Sequence, residues 1–383
     1  MTYADGNTAS FTYDANGNQI SVTDANGQSF SMVYDVLNRQ ISTQYPTTGT
    51  DDLQNIVNQY DANNNLVQIT ETYTGTTGTR ITQQSFDDFD RNIEKIDPEN
   101  KRIRYGYDAN GNRRSVADPD NVVTKYSFDQ LNRVSEVVNQ SGVTEYRYDR
   151  SSLKTQVNYP NGSSTQQSYD QAGRVLSIEN NQGLAKISSF DYQYDQNGNR
   201  TQQIETNGGT AETITYQFDD NDRLIEAAYA NETTRYQYDV AYNRVGEQTT
   251  ENASSTITVD KTYLYNNRNQ ITEATDNLDA SNSATYAFDN NGNRISRTEG
   301  ALVSNFIYDA RDQLKEITTG GSSIGQFLYD YQGLRIRKQT QSETHRYVYD
   351  DQSVLVQTDD SGNTISKYDY GPDRLLSLNN TDQ

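Results

Sequence analysis

An all-β fold, a long antiparallel array of β-hairpins that spirals or closes on itself, is what this sequence predicts. Three observations predict it. An aromatic residue followed by Asp returns at steps no shorter than the 19 residues from Tyr349 to Tyr368 and no longer than the 27 from Tyr238 to Tyr265. Ahead of each pair the sequence alternates with period two, as in Thr144-Glu145-Tyr146-Arg147-Tyr148, which puts both tyrosines on one strand face. Behind each pair stand Asp, Asn and Gly, which cap local amides and tolerate the positive φ of a tight reversal.

In chain order the aromatic of the pair is Tyr13, Tyr34, Tyr60, Phe86, Tyr107, Phe128, Tyr148, Tyr169, Tyr194, Phe218 and Tyr238, then Phe288, Tyr308, Tyr329, Tyr349 and Tyr368. Tyr265-Asn266 is a degenerate copy. These aromatics are candidate structural rungs of a continuous ladder, with return-strand aliphatics such as Val134, Val137 and Val138 between them. The turn is expected in two lengths, a shorter form from Phe128 to Arg133 and a longer one from Tyr194 to Arg200, with the Arg opening the return strand. Asp and Arg are placed to bridge the mouth of each hairpin. A second turn, such as Ser141-Gly142, leads into the next unit.

About sixteen units of two strands give on the order of thirty strands, more than a flat open sheet tolerates, so the sheet must coil. The longer steps, at Thr47 to Asn55, Thr70 to Thr79, Thr201 to Thr213 and Thr249 to Val259, are expected to be polar loop insertions. Residues 1–383 are expected to form a single repeat array, a section of a longer polypeptide, without a domain-boundary linker.

Composition narrows the chemistry. A net charge of -21 with a low share of Leu, Ile, Val and Phe would suit a disordered chain, but 30 tyrosines can bury ring area while leaving their hydroxyls hydrated. With no cysteine, disulfides and thiolate chemistry are excluded. The acidic balance, at a pI near 4.4, opposes nucleic acid and anionic membranes, and there is no basic patch. The start has neither a basic n-region nor an apolar stretch, so no signal peptide and no membrane insertion are expected.

Candidate sites dissolve into the repeat. Asp14-Ala15-Asn16-Gly17-Asn18 superficially suggests a calcium loop, but its Gly stands at position four where an EF-hand needs it at six. His345 is the only histidine and sits at a polar strand position, which suits a surface residue rather than a catalytic base. With 53 acidic residues spread along the chain, no pair singles itself out for glycoside hydrolysis. No catalytic residue, cofactor or metal is therefore expected.

Units such as Tyr107-Asp108-Ala109-Asn110-Gly111-Asn112-Arg113 and Phe128-Asp129-Gln130-Leu131-Asn132-Arg133-Val134 resemble the tyrosine-aspartate (YD) repeats of bacterial Rhs proteins, toxin-complex shells and animal teneurins. The resemblance covers practically the whole chain. It implies a β-ribbon spiralling into a hollow shell, which in the bacterial members commonly encloses a toxin domain. The implied partner is an enclosed toxin domain or the remainder of a longer polypeptide, and the implied location is secreted or at the bacterial cell surface. In such relatives a segment with an Asp-Pro-x-Gly motif performs self-cleavage. Here Asp97-Pro98-Glu99 and Asp118-Pro119-Asp120 lack the Gly, and Gly371-Pro372-Asp373-Arg374-Leu375 is a different string.

The leading expectation is a non-enzymatic scaffold that encloses or presents another polypeptide. A second reading is a carbohydrate-binding or cell-surface adhesion module, with tyrosine rows as the glycan platform. The third is a polysaccharide-degrading enzyme, which needs a non-repeating constellation in the insertions or at Tyr265-Asn266. If the Asp-x-Asn-Gly-Asn segments are turns, EDTA leaves the melting temperature unchanged in a thermal scan, and a large drop with chelator contradicts the turn assignment.

Overall fold

The computed structural model describes residues 1–47, 49, 52–75, 77–372 and 375–380. Among them the chain forms 34 strands in one sheet, no α-helix, and a single 3-10 turn at Ala280–Asn282. Strands pair with their sequence neighbours and always antiparallel: Gly142–Tyr148 pairs with Lys154–Asn158, which pairs with Ser163–Tyr169. In most repeats the aromatic marks a register slip. Arg147 faces Gln156 but Tyr148 faces Lys154, so Thr155 is an extra residue on the return strand. The same slip recurs at Tyr34, Tyr60, Tyr169, Tyr194, Phe218 and Tyr238. A bulge strengthens the local right-handed twist, so the twist is renewed at every hairpin.

Two expectations need correction. The turns do not come in two lengths. In both forms the Asp at position 1 donates its N–H to the carbonyl of position 5, and the N–H of position 4 returns to the Asp carbonyl, as in Asp129 with Arg133 and Asn132, or Asp195 with Asn199 and Gly198. Position 4 has positive φ in each, 57° at Asn132 and 95° at Gly198. The forms differ only in whether Arg or Asn holds position 5.

Nor is the Thr201 to Thr213 step a loop insertion, and the Thr249 to Val259 step is one only at residues 252–256. Arg200–Asn207 and Thr210–Phe218 are strands joined by a tight turn at Gly208-Gly209, and Arg244–Glu251 and Ile257–Tyr265 are likewise paired along their length. In the Thr70 to Thr79 step Thr70 to Tyr73 and Thr79 lie in strands and a turn joins them, although Thr76 lies outside the described residues, as do Thr48, Thr50 and Asp51 of the first insertion and Asp373 and Arg374 of the Gly-Pro string.

Contacts divide the chain into two compact units, residues 1–125 with 286–383, and residues 126–285. In the second unit the buried side chains include Val137, Thr144, Tyr146, Val157, Thr165, Ile214, Ala227, Thr234 and Thr249, mostly small groups on alternating strand positions. Thr234 and Thr249 share a hydrogen bond across paired strands at 3.0 Å.

The first unit has a hydrophobic core of Leu53, Ile56, Ile69, Tyr73 and Leu328, which brings the two halves of that unit together. A seam of polar contacts runs along the same two segments in the same order. Asp24 meets Asn291, Asp52 meets Lys315, Glu99 meets Arg346 and Asp118 meets Lys367. At the centre of the seam lies Glu71, only 1% exposed. The Tyr73 hydroxyl lies 2.9 Å from Glu71 Oε1 and 3.0 Å from the carbonyl of Tyr329. Glu71 Oε2 has no hydrogen-bond partner among the described residues, and the nearby Arg80 spends its two terminal nitrogens on Glu99.

Burial pushes the Glu71 carboxyl up to about 7, against the opposing Tyr73 bond and the Arg80 and Arg311 charges. An acid whose folded pKa is raised holds its proton in the native state after the unfolded chain has lost it. Stability is therefore full below the ordinary glutamate value, near 4.5, and falls as pH rises through 7. Glu71→Gln is expected to raise stability at pH 8 by roughly 2 kcal/mol and to flatten its decline between pH 5 and 8, measured by urea denaturation across that range. An unchanged slope contradicts this role for Glu71.

Candidate functional site: the clip between hairpins

The repeated residues build one unit of chemistry at each turn. At Asp129, Oδ1 accepts the N–H groups of Leu131 and Arg133, at 2.8 and 3.1 Å, and so caps the turn from within. The second oxygen, Oδ2, takes Arg133 Nε at 2.7 Å and its terminal nitrogen at 2.6 Å. That bond to Arg133 holds the Asp129 carboxyl below the usual range.

The guanidinium then reaches forward. Its Nη1 donates to the carbonyl of Asp149, the first residue of the next turn on that rim, at 3.2 Å, and its plane lies 4.6 Å from the Tyr148 ring centroid. Tyr148 reaches back, donating its hydroxyl to the carbonyl of Val134 at 2.8 Å. Five hairpins share this arrangement: Arg39, Arg91, Arg133, Arg174 and Arg223 each bond their own Asp and the next Asp carbonyl, and each lies within 4.9 Å of the next repeat tyrosine's ring centroid.

Where Asn holds position 5, a second clip appears. Asn199 Nδ2 donates to Asp195 Oδ2 and to Asp222 Oδ1, which sits at position 4 of the next turn. Asn197 at position 3 joins it on the same oxygen at 2.9 Å. Asn63 and Asn65 treat Asp90 the same way, and Asn291 and Asn293 treat Asp312. The Arg that follows such a turn moves to position 6 and stacks on other aromatics: Arg200 lies 4.1 Å from the Tyr192 centroid and Arg294 4.5 Å from that of Phe306.

The sequence-nominated rungs fall into this scheme unevenly. Tyr60, Tyr107, Tyr148, Tyr169, Tyr194, Tyr238, Tyr308 and Tyr349 each donate a hydroxyl to the carbonyl of the residue that opens the preceding return strand. Degenerate Tyr265 does the same to Arg244. Phe128, Phe218 and Phe288 are half-buried rungs without a hydroxyl, as are Tyr34 and Tyr329 by burial, whereas Tyr13 is 58% exposed. The calcium-like loop is a turn whose Asp14 carboxylate is taken up by Asn16 and Asn18. His345 is half-buried rather than on the surface, with Nδ1 2.8 Å from the Gln357 amide and Nε2 3.0 Å from Glu343. Sequence reasoning missed position 5 as the deciding residue; its signal is whether Arg or Asn stands four residues after the Asp.

Residues 1–29, 13–50 and 107–144 match the family described as RHS Repeat, and residues 184–376, half of the chain, match the family described as Teneurin YD-shell. The chain belongs to the YD-shell family. Among solved structures, the YD-shell chain aligns with the crystal structure of TcdB2-TccC3-TEV over 94% of its length, at 16% identity and a TM-score of 0.61, which shows a common fold. It spans 21% of that chain. The structure of the Photorhabdus luminescens Tc holotoxin pore aligns over 98% of the YD-shell chain and 27% of its own, at 13% identity and a TM-score of 0.38. No curated protein matches the chain.

If the clip couples hairpins, Tyr148→Phe is expected to cost about 1 kcal/mol for the lost hydroxyl bond. Arg133→Ala is expected to cost roughly 2 kcal/mol, and the double mutant with Tyr148→Ala should show a coupling of ~0.5 to 1 kcal/mol. Urea denaturation of the four-protein cycle measures this, and strict additivity contradicts a shared clip.

Proposed function

We propose that this chain is a section of wall in a YD shell that encloses another polypeptide, such as a toxin domain, in a secreted or cell-surface bacterial assembly. The observation that carries this reading is the commitment of the repeated side chains to their neighbours. Asp, Arg, Asn and Tyr at each turn are spent on holding the next hairpin, which is the work of a scaffold. Membership of families that are shell scaffolds points the same way. The array, on this reading, runs as one repeat body through residues 1–383, and catalysis has no part in its task.

A glycan platform fits less well. Its aromatic faces need to be open, whereas the repeat rings are half-buried, covered by guanidinium groups and tied through their hydroxyls. In the full polypeptide, an enclosed segment should survive protease concentrations that digest the same segment expressed alone, with intact mass read by mass spectrometry. Equal digestion rates for the enclosed and free segments contradict the wall.

A further inference from the structure

Glu71 sits where the two segments of the first unit meet, and its proton decides how many hydrogen bonds cross between them. Its side chain is buried on the strand Leu66–Tyr73, which pairs Glu71 with Ile56 on one side and with Arg80 on the other. Oε1 lies 2.9 Å from the Tyr73 hydroxyl, and the same hydroxyl lies 3.0 Å from the Tyr329 carbonyl of the far segment. A tyrosine hydroxyl has one proton to give. When Glu71 is ionised, its carboxylate and the Tyr329 carbonyl compete for that proton. When Glu71 is protonated, its O–H donates to the Tyr73 oxygen and Tyr73 donates to Tyr329, so two protons make two bonds and one of them spans the seam.

The charged groups around Glu71 do not replace that proton. Arg80 commits both terminal nitrogens to Glu99, while Arg311, from the far segment, donates Nη1 to the Asp330 carbonyl and places Nη2 3.5 Å from the Asp309 carboxylate. Both arginines attract the Glu71 carboxylate through space and Asp330 repels it, yet Glu71 Oε2 and Arg80 Nε have no hydrogen-bond partner among the described residues. Tyr45 and Tyr331, the remaining titratable neighbours, pack against the hydrophobic core beside it. We propose that Glu71 is a proton-operated latch on the seam: protonated, it lets Tyr73 hold the Tyr329 carbonyl and so joins residues 1–125 to residues 286–383, and ionised, it loosens that junction. Opening the seam returns the carboxyl to water and to its ordinary value near 4.5, whereas in the closed seam burial holds the proton up to about 7. The closed state therefore loses ground by about tenfold per pH unit between those values, and no further above them.

The chain has no cysteine, so one introduced thiol can report the opening. Leu328 is buried in the seam core, Val157 is buried in the second unit, and Leu184 is fully exposed. The thiol-labelling rate of Leu328→Cys is measured from pH 5 to 8 and divided by that of Leu184→Cys, which corrects for thiolate formation. This ratio is expected to rise at least about tenfold from pH 5 to 7 and then level off, while the same ratio for Val157→Cys stays flat. Adding Glu71→Gln, whose amide can donate to Tyr73 at every pH, should cut the rise at least about fivefold, which separates Glu71 from Asp97 and Asp330, other acids of this unit raised by burial. Ile56→Cys, also in the core, takes the place of Leu328→Cys if that variant does not fold by circular dichroism. Independently of any thiol, the infrared difference between the wild-type chain and Glu71→Gln at pH 6 should contain a protonated carboxyl band. A flat ratio at the seam, an equal rise with Glu71→Gln, an equal rise at Val157→Cys, or no such band overturns the latch.

Discussion

Everything in this architecture hangs on one carboxylate with two oxygens and two tasks. A hairpin array buries little on each strand face, so neighbouring hairpins need a connection that does not depend on a thick core. The Asp at position 1 provides it. Oδ1 closes the turn by accepting two backbone amides, and Oδ2 remains to orient the residue at position 5, which then reaches the next hairpin. Alanine there would lose the cap and the clip together. A glutamate, one methylene longer, would have to give up the short capping loop that lets one oxygen see both amides.

The two clip chemistries interlock because their acceptors differ. An Asn at position 5 needs a side-chain oxygen ahead of it, and finds one where the next turn carries Asp or Asn at position 4, as Asn65 finds Asp90 and Asn199 finds Asp222. Those residues hold positive φ, 59° at both Asp90 and Asp222, which Asp and Asn bear better than other side chains. One residue thus serves as turn former and as acceptor. An Arg at position 5 asks only for a backbone carbonyl, so the turn after it is free to place Gly at position 4, as Gly111 does after Arg91 and Gly198 after Arg174. Tyr242 is the costly variant, an aromatic at φ 69°, and Arg223 lies 5.0 Å from its ring centroid.

The period, the alternation and the rungs were legible in the sequence because they are local. The turn length was not, since the eye follows Arg while the backbone follows position 4. Arg200-Thr201-Gln202-Gln203-Ile204-Glu205-Thr206-Asn207 reads as a polar loop for lack of aliphatics, yet it pairs along both edges, and its stability comes from ladder bonds and cross-strand contacts. The seam was wholly hidden. Contacts such as Asp52 with Lys315, 263 residues apart, leave no trace in either local pattern. Glu71 looks like any strand glutamate until Leu328 and Tyr329 arrive from the far segment to close over its neighbourhood.

The large negative charge then divides into two populations with opposite environments. Turn carboxylates such as Asp35, Asp129 and Asp219 lie at the rim, solvated, and their hydrogen bonds to Arg side chains and backbone amides hold them below the usual range. Other carboxylates, the turn residues Asp97 and Asp330 among them, are desolvated near the seam: burial raises Glu71 and Asp97, and also Asp330 and Asp350 despite the attraction of Lys95 and Arg113. The same residue type therefore stabilises one structure when charged and burdens the other. A rim of ionised acids suits a surface that must stay soluble while repeating itself, because like charge opposes edge-to-edge pairing with another chain. A seam of strained acids suits a contact between distant rows. It is closed by aliphatic burial at Leu53, Ile56, Ile69 and Leu328 and opposed by buried charge, so its strength is a small difference between the two.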